Sequence, residues 1–354
     1  MEKLNELLDL IIKPDSESAL RCKERLDNIA KPIDGLGEFE CVLPKLAGIY
    51  GDDNFNIDKK AIVVMCADNG VTVEGVSLTG HKTTTAIAEH IVGGTAVVSI
   101  MARHTGVSIY TVDIGMYDTI NAPGLIHAKI SNGTNNIAKG PAMTKAQLLS
   151  AIHIGMKMVR KLKDGGYRII ATGEMGIGNT TTSSAVASVL LGISPRETTG
   201  RGTGLSPDAF AHKIEVIKKA IDINKPDRSN TIDVVMKIGG FDIAGLIGMF
   251  LGGAVYKIPI VIDGVISATA ALAASMISKN CVDYMLASHL GKEPANKYIF
   301  EKLGLNPVIR ANMSLGEGAG AVMLLPMLDL AVEVYRQNTT FEKVNMKRYE
   351  RSEM

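Results

Sequence analysis

The chain has 354 residues, 46% hydrophobic and 21% charged, which suits one large domain plus a smaller part, or two ordinary domains, around a sizeable core. Lys and Arg number 38 against 37 Asp and Glu, a formal charge of +1 with no basic run, and this speaks against a nucleic-acid partner. The cysteines at 22, 41, 66 and 281 lack metal or redox spacing and fit free thiols in a reducing cytosol.

The N-terminus is charged and amphipathic, unlike a signal peptide, and residues 2–50 read as helical. Leu4, Leu7, Leu8 and Ile11 mark a first apolar face that Pro14 ends; 17–30 follows, then a Pro/Gly bend and a helix to about Tyr50. At Lys60 the pattern changes. Residues 61–67, Ala-Ile-Val-Val-Met-Cys-Ala, form a continuous apolar run of the kind found in a fully buried parallel strand. Segments 107–112, 167–171 and 258–262 read the same way, with Pro259 at a strand start. Helical patterns lie between and after them at 83–91, 95–103, 144–162, 180–190, 207–221 and 264–277. The alternation predicts an α/β fold, a doubly wound parallel sheet. The longest apolar stretch, 243–256, falls short of the roughly 20 residues of a membrane helix, so a cytoplasmic protein without a membrane partner is expected. The tail after Gln337 is polar, and its end is expected to pack poorly.

Ligands of such sheets gather beyond the carboxyl ends of the strands, so the segments after each strand carry most information. After the first comes Asp68-Asn-Gly, where Asp68 could bind a sugar hydroxyl but reads better as a turn residue. The loop 75–82 leads into a Thr-rich helix start and could wall a pocket. After 167–171 comes Thr-Gly-Glu-Met-Gly-Ile-Gly-Asn-Thr-Thr, with Glu174, Met175, Gly176, Gly178, Asn179 and Thr180. A Gly-rich loop opening onto a helix N-terminus is a ready anion site, though this one is neither a Walker A motif nor a strict G-x-G-x-x-G. A second Gly-rich loop, 199–204, carries Arg201, Gly202 and Gly204 and leads into a helix bearing Lys213, a composition that suits phosphate. Asp242 and Asp263 stand at helix starts, where capping is the plain explanation.

The histidines show no metal-binding spacing, and no G-x-S-x-G or Cys/His pair suggests an activated nucleophile. No metal and no cofactor are expected. Residues 314–320, Ser-Leu-Gly-Glu-Gly-Ala-Gly, set Glu317 just before a helical run from 319 to 335. Taken alone, Glu317 reads as the cap of that helix; set beside two phosphate cradles, it becomes a candidate base. The inventory suits a transferase that attacks an already labile bond of a phosphate-bearing small ligand.

Several segments in this order resemble the nicotinate-nucleotide–dimethylbenzimidazole phosphoribosyltransferase family: 27–37, 64–71, 173–181, Gly239-Gly-Phe-Asp, Asp263-Gly, Ser288-His-Leu and Leu315-Gly-Glu-Gly-Ala-Gly. The resemblance spans nearly the whole chain. It implies a Rossmann-like large domain at 56–324, a small helical domain from 1–55 plus 325–354, and a homodimer. It implies transfer of the phosphoribosyl group of nicotinate mononucleotide to an aromatic base, with Glu317 as catalytic base and Glu174 as a second acid. Gly176 and Lys213 fall on positions that hold the nucleotide phosphate. Two departures stand out. Gly80 and Ala88 occupy positions where the family carries Ser and Gln in the base pocket, which leaves open a benzimidazole, a purine or a phenolic ring. In the phosphate region Gly291 stands where the family's His-x-Ser has its hydroxyl, so a side-chain contact is lost while the backbone N–H can still donate. A nucleosidase or phosphorylase acting on the same bond is the alternative reading.

Overall fold

The computed structural model describes residues 2–202 and 204–350. Strands β1 (Lys60–Ala67), β2 (Ser108–Gly115), β3 (Ile126–His127), β4 (Ile169–Met175), β5 (Ile260–Ile262) and β6 (Met285–Ala287) form one sheet. Helices α1 (Glu2–Leu8), α2 (Ser16–Asn28) and α3 (Phe39–Tyr50) precede it, and α4 (His81–Val92), α5 (Val97–His104) and α6 (Lys145–Asp164) separate its first strands. Between β4 and β5 lie α7 (Asn179–Leu191), α8 (Pro195–Thr198), α9 (Pro207–Asn224), α10 (Thr231–Ile238) and α11 (Phe241–Tyr256). The helices α12 (Val265–Ile277), α13 (Ala295–Leu303) and α14 (Ala319–Gln337) complete the chain.

All pairings are parallel, in the order β3-β2-β1-β4-β5-β6. Strand order therefore reverses between β1 and β4, the switch point where open α/β sheets bind ligands. Along β1, Ala61, Val63 and Met65 enter one core with α6 and α11, while Ile62, Val64 and Cys66 enter a second with α2, α3, α5 and α14. Side chains alternate across a strand, so an apolar run covered on both faces needs apolar residues at every position. This bears out the doubly wound expectation.

Three differences from the sequence reading have simple causes. Strand β4 continues past Ala171 through Thr-Gly-Glu to Met175, so Glu174 stands on the strand and not in a loop after it. The register Met65↔Glu174 carries that extension beyond what local composition shows. Strands β3 and β6 are too short to give a periodic signal, and α13 has only 9 residues. The segment 81–104 passes the length and composition test for a membrane span, but the chain breaks it at 93–96 into α4 and α5.

Terminal segments lie together. Ile29 bridges Thr340 in antiparallel fashion, the Ala30 N–H donates to the Thr339 carbonyl, and Arg25 stacks over the Tyr335 ring at 4.5 Å. In the tail Phe341 is buried, whereas Met346 and Tyr349 are exposed; residues 351–354 lie outside the described residues.

Helices α6 and α11 cross backbone to backbone. A Cβ at Gly155 would fall 2.0 Å from the Gly245 carbonyl oxygen, and one at Gly248 would fall 2.0 Å from that of Ile152. These neighbours are backbone atoms and cannot rotate away. Gly248→Val should destabilise the fold by about 3 kcal/mol, the upper range for overpacking; urea unfolding checks this, and an unchanged midpoint would refute it.

Candidate active site

At the carboxyl ends of β4, β5 and β6 a cavity of about 300 Å³ opens, walled by the starts of α4 and α7, the turn into α12, residues 289–296, and the loop 313–317. The loop lies directly on β4. A Cβ at Gly173 would sit 2.5 Å from the Glu317 carbonyl oxygen, and one at Gly318 would sit 2.9 Å from the Thr172 oxygen. Glycines at these positions allow a contact no side chain permits.

Glu317 has φ 60°, between Gly316 at 83° and Gly318 at 90°. A non-glycine residue in the left-handed region is strained, and such strain gathers at functional positions. The carboxylate does not cap its own helix α14. Its Oε2 instead accepts the Val98 N–H at 3.3 Å, at the start of α5. Burial raises the Glu317 pKa, and the Val98 hydrogen bond opposes it. The group is half-buried and lines the cavity.

Glu174 is 6% exposed and shares the Asn179 carboxamide with Asp242: Asn179 Nδ2 donates to Glu174 Oε2 and, at 3.0 Å, to Asp242 Oδ2. Burial first, and then the Asp242 charge, push the Glu174 pKa up to about 8, while burial lifts Asp242 to about 6. Near neutral pH Glu174 thus holds its proton. A raised carboxyl makes the native state bind more protons than the unfolded chain between 4.5 and about 8, so stability falls as pH climbs through that window. Glu174→Gln should flatten the fall between pH 5 and 8 in thermal melts; an unchanged slope would assign it to other groups.

Lys213, from α9, is fully buried. Its Nζ donates to Thr180 Oγ1 at 2.9 Å, at the first turn of α7. Burial pulls its pKa down to about 8, with Glu293 opposing. A buried ammonium without a paired carboxylate is costly unless an anion comes to it. A second cavity of about 50 Å³ is walled by Gly176, Gly178, Asn179, Thr180, Arg201, Gly202 and Lys213, and it shares Gly176, Asn179, Thr180 and Gly202 with the larger one. Most residues named from the two Gly-rich loops, with Lys213, therefore converge at one helix N-terminus.

A phosphoribosyltransferase family model matches residues 11–346. The nicotinate-nucleotide–dimethylbenzimidazole phosphoribosyltransferase of Ruminiclostridium cellulolyticum is 47% identical over 348 residues, covering 98% of each chain. That of Acetivibrio thermocellus is 46% identical, covering 93% of each. Among solved structures, CobT from Thermus thermophilus superposes with a TM-score of 0.89 at 31% identity, covering 94% of this chain and all of that one. The chain belongs to this phosphoribosyltransferase family. Both the fold and the family expected from the motifs are thereby shown.

Within the phosphoribosyltransferase site, other predicted residues take varied places. Met175 and Gly291 line the larger cavity with Glu174 and Glu317. Gly204, at φ 108°, faces open space and lines neither cavity; its neighbour Thr203 lies outside the described residues. Asp242 and Asp263 stand behind the wall. Asp242 Oδ1 accepts the Ile243 N–H within the first turn of α11, whose N-cap is Gly240, so Asp242 is not the cap expected from the sequence. Asp263 Oδ1 caps α14 from a distance, accepting the Ala321 N–H at 3.0 Å. Asp68 Oδ2 accepts the Tyr117 N–H at 2.8 Å, a tie to the segment after β2 and not a cap of its own turn.

Gly80 and Ala88 do not line the cavity. Gly80 is the N-cap of α4 with nothing within 4 Å of its Cβ position, and Ala88 is fully buried against the second core. The wall is formed by Thr79, Thr83 and Ile87. The four-residue spacing of Thr83 and Ile87 puts them on one face of α4, with Ala88 turned one residue away, while Thr79 joins them from the turn before the helix. The hydroxyls of Thr79 and Thr83 thus supply that wall's polarity. Sequence reasoning pointed to this Thr-rich helix start but not to these residues. It also missed Asn296 and Glu293 as wall residues, since only long-range packing brings α13 and the turn before it here; Leu315 belongs to the 314–320 segment but was not named as a wall residue. Among the described residues no cluster of metal-ligating side chains occurs.

Proposed function

We propose that this chain transfers the 5-phosphoribosyl group of nicotinate mononucleotide to 5,6-dimethylbenzimidazole or a related lower-ligand base, giving the α-ribazole 5′-phosphate used in cobamide assembly, and nicotinate. The observation that carries this reading is a cavity walled by the Glu317 carboxylate that shares the start of α7 with a smaller one walled by the buried Lys213 ammonium. The substrate's pyridinium leaves as a neutral ring when the C1′–N bond breaks and its electron pair returns to nitrogen, so departure needs no acid. One nitrogen of the incoming base attacks C1′ with inversion. Its second nitrogen's proton passes to a Glu317 oxygen as positive charge builds. The raised pKa of Glu317 makes it a stronger base than an exposed carboxylate. Glu174, protonated, orients rather than abstracts. The phosphate sits on the α7 N-terminus beside Gly176 and Lys213.

A cytoplasmic homodimer with a small unit built from both termini belongs to the same proposal. The pairing of Ala30 with Thr339 supports the small unit. Exposed Val97 and Ile100 on α5 and Leu330 on the adjoining α14 support self-association; a single-chain mass by light scattering would refute it. Incubation with nicotinate mononucleotide and the base should yield nicotinate and riboside phosphate in equal amounts by mass spectrometry. Nicotinate release without any base would instead favour a nucleosidase or phosphorylase.

A further inference from the structure

Asn296 stands in the first turn of α13, its backbone N–H donating to the Glu293 carbonyl at 3.1 Å. Its side chain is 1% exposed and lines the cavity, yet neither Oδ1 nor Nδ2 has a hydrogen-bond partner among the described residues. Buried amides are nearly always paired, so one left unpaired on a ligand cavity calls for an explanation. Gly291 keeps its place open. A Cβ there would fall 2.3 Å from Asn296 Nδ2, so the carboxamide lies where any other residue's side chain would begin. Beside it on the wall is Glu293, whose Oε1 accepts the Gly202 N–H at 3.2 Å.

We propose that Asn296 is a specificity-determining residue that grips a ribose hydroxyl of the nucleotide. This rests on the phosphoribosyl-transfer reading and deepens it. The chemistry selects the sugar over the phosphate. Whichever way the amide is turned, one end donates and the other accepts. A hydroxyl matches both ends, whereas phosphate oxygens only accept and would leave the amide carbonyl unpaired. The neighbouring Glu293 carboxylate can accept a hydroxyl proton. The phosphate already has the Lys213 site. A close-fitting polar group of this kind rejects an analogue that lacks its partner hydroxyl.

The test compares kcat/KM for nicotinate mononucleotide and its 2′-deoxy and 3′-deoxy counterparts in wild type, Asn296→Leu and Asn296→Ala. With the ribonucleotide, Asn296→Leu should lose about 10–100-fold, mainly in KM. With one of the two deoxynucleotides it should lose little more than wild type already has. Its melting temperature should not fall, because the apolar isostere removes two unpaired buried groups. Gly291→Ser should crowd the amide and reproduce the loss in wild type, yet add little in Asn296→Ala. Wild-type kcat/KM in the Asn296 variants, or equal losses on all three nucleotides, would overturn the assignment. A wild-type enzyme that leaves nicotinate mononucleotide untouched with base present would overturn the transfer reading and this inference with it, a result visible before any variant is made.

Discussion

Glu317→Gln should lower kcat for base-dependent transfer by roughly 10²–10⁴-fold while nucleotide affinity stays within a few-fold of wild type. The proposed phosphate site, at Lys213 and the start of α7, belongs to the small cavity, whose wall does not include Glu317. Glutamine keeps the shape of the side chain and can still accept the Val98 N–H, so α5 retains its cap. What it lacks is a basic oxygen. Glu317→Gly separates the two costs of the position in another way. A residue at φ 60° between two left-handed glycines carries strain that glycine relieves. Loss of the cap costs ~1 kcal/mol, and relief of the strain returns about as much. Glu317→Gly should therefore be near wild type in stability and as inactive as the Gln variant. Calorimetry for nucleotide binding, thermal melts and steady-state rates check these outcomes. Near-normal turnover in either variant would remove Glu317 from the chemistry.

Lys213→Met should show opposite signs in function and stability. Hydrogen bonds to charged groups contribute ~1.5–3 kcal/mol, so removal of the ammonium should raise the Kd for nicotinate mononucleotide about 10–100-fold. The free protein should become more stable, because methionine fills the space without a buried charge. pH sharpens the test. With its pKa lowered from 10.5 to about 8, the native lysine binds fewer protons than the unfolded chain across that interval. Stability should thus rise with pH between about 8 and 10, and nucleotide affinity should fall over the same range. Lys213→Met should lose both trends. Unchanged affinity would make the ammonium a structural group bonded to Thr180 and nothing more.

What could be read from the sequence follows the range of the interactions involved. The central strands were legible because burial on both faces forces an unbroken apolar run, as at 61–67. The anion cradle was legible because glycines and a helix start are neighbours in sequence at 173–182. Glu317 was legible as important but not in its local role: the helix it caps is α5, more than 200 residues away in sequence. Asp263 behaves alike, reaching across to α14 and not to α12 just after it. The base-side wall depends on the rotation of α4, which sets Thr83 and Ile87 inward and leaves Ala88 off the wall, and on the turn before it, which brings in Thr79 but not Gly80. Local pattern does not fix such a rotation; packing against the second core does. Asn296 carried no sequence signal, since its meaning lies in the absence of a partner.

The direct test of proton abstraction by Glu317 is the size of the Glu317→Gln penalty with two acceptors, 5,6-dimethylbenzimidazole and its 1-methyl derivative. The methylated base can still attack through its free nitrogen but has no proton to give up. General-base catalysis predicts a penalty of roughly 10²–10⁴-fold with the first and one close to unity with the second. An equal penalty on both bases would contradict it and leave Glu317 an electrostatic or positioning group.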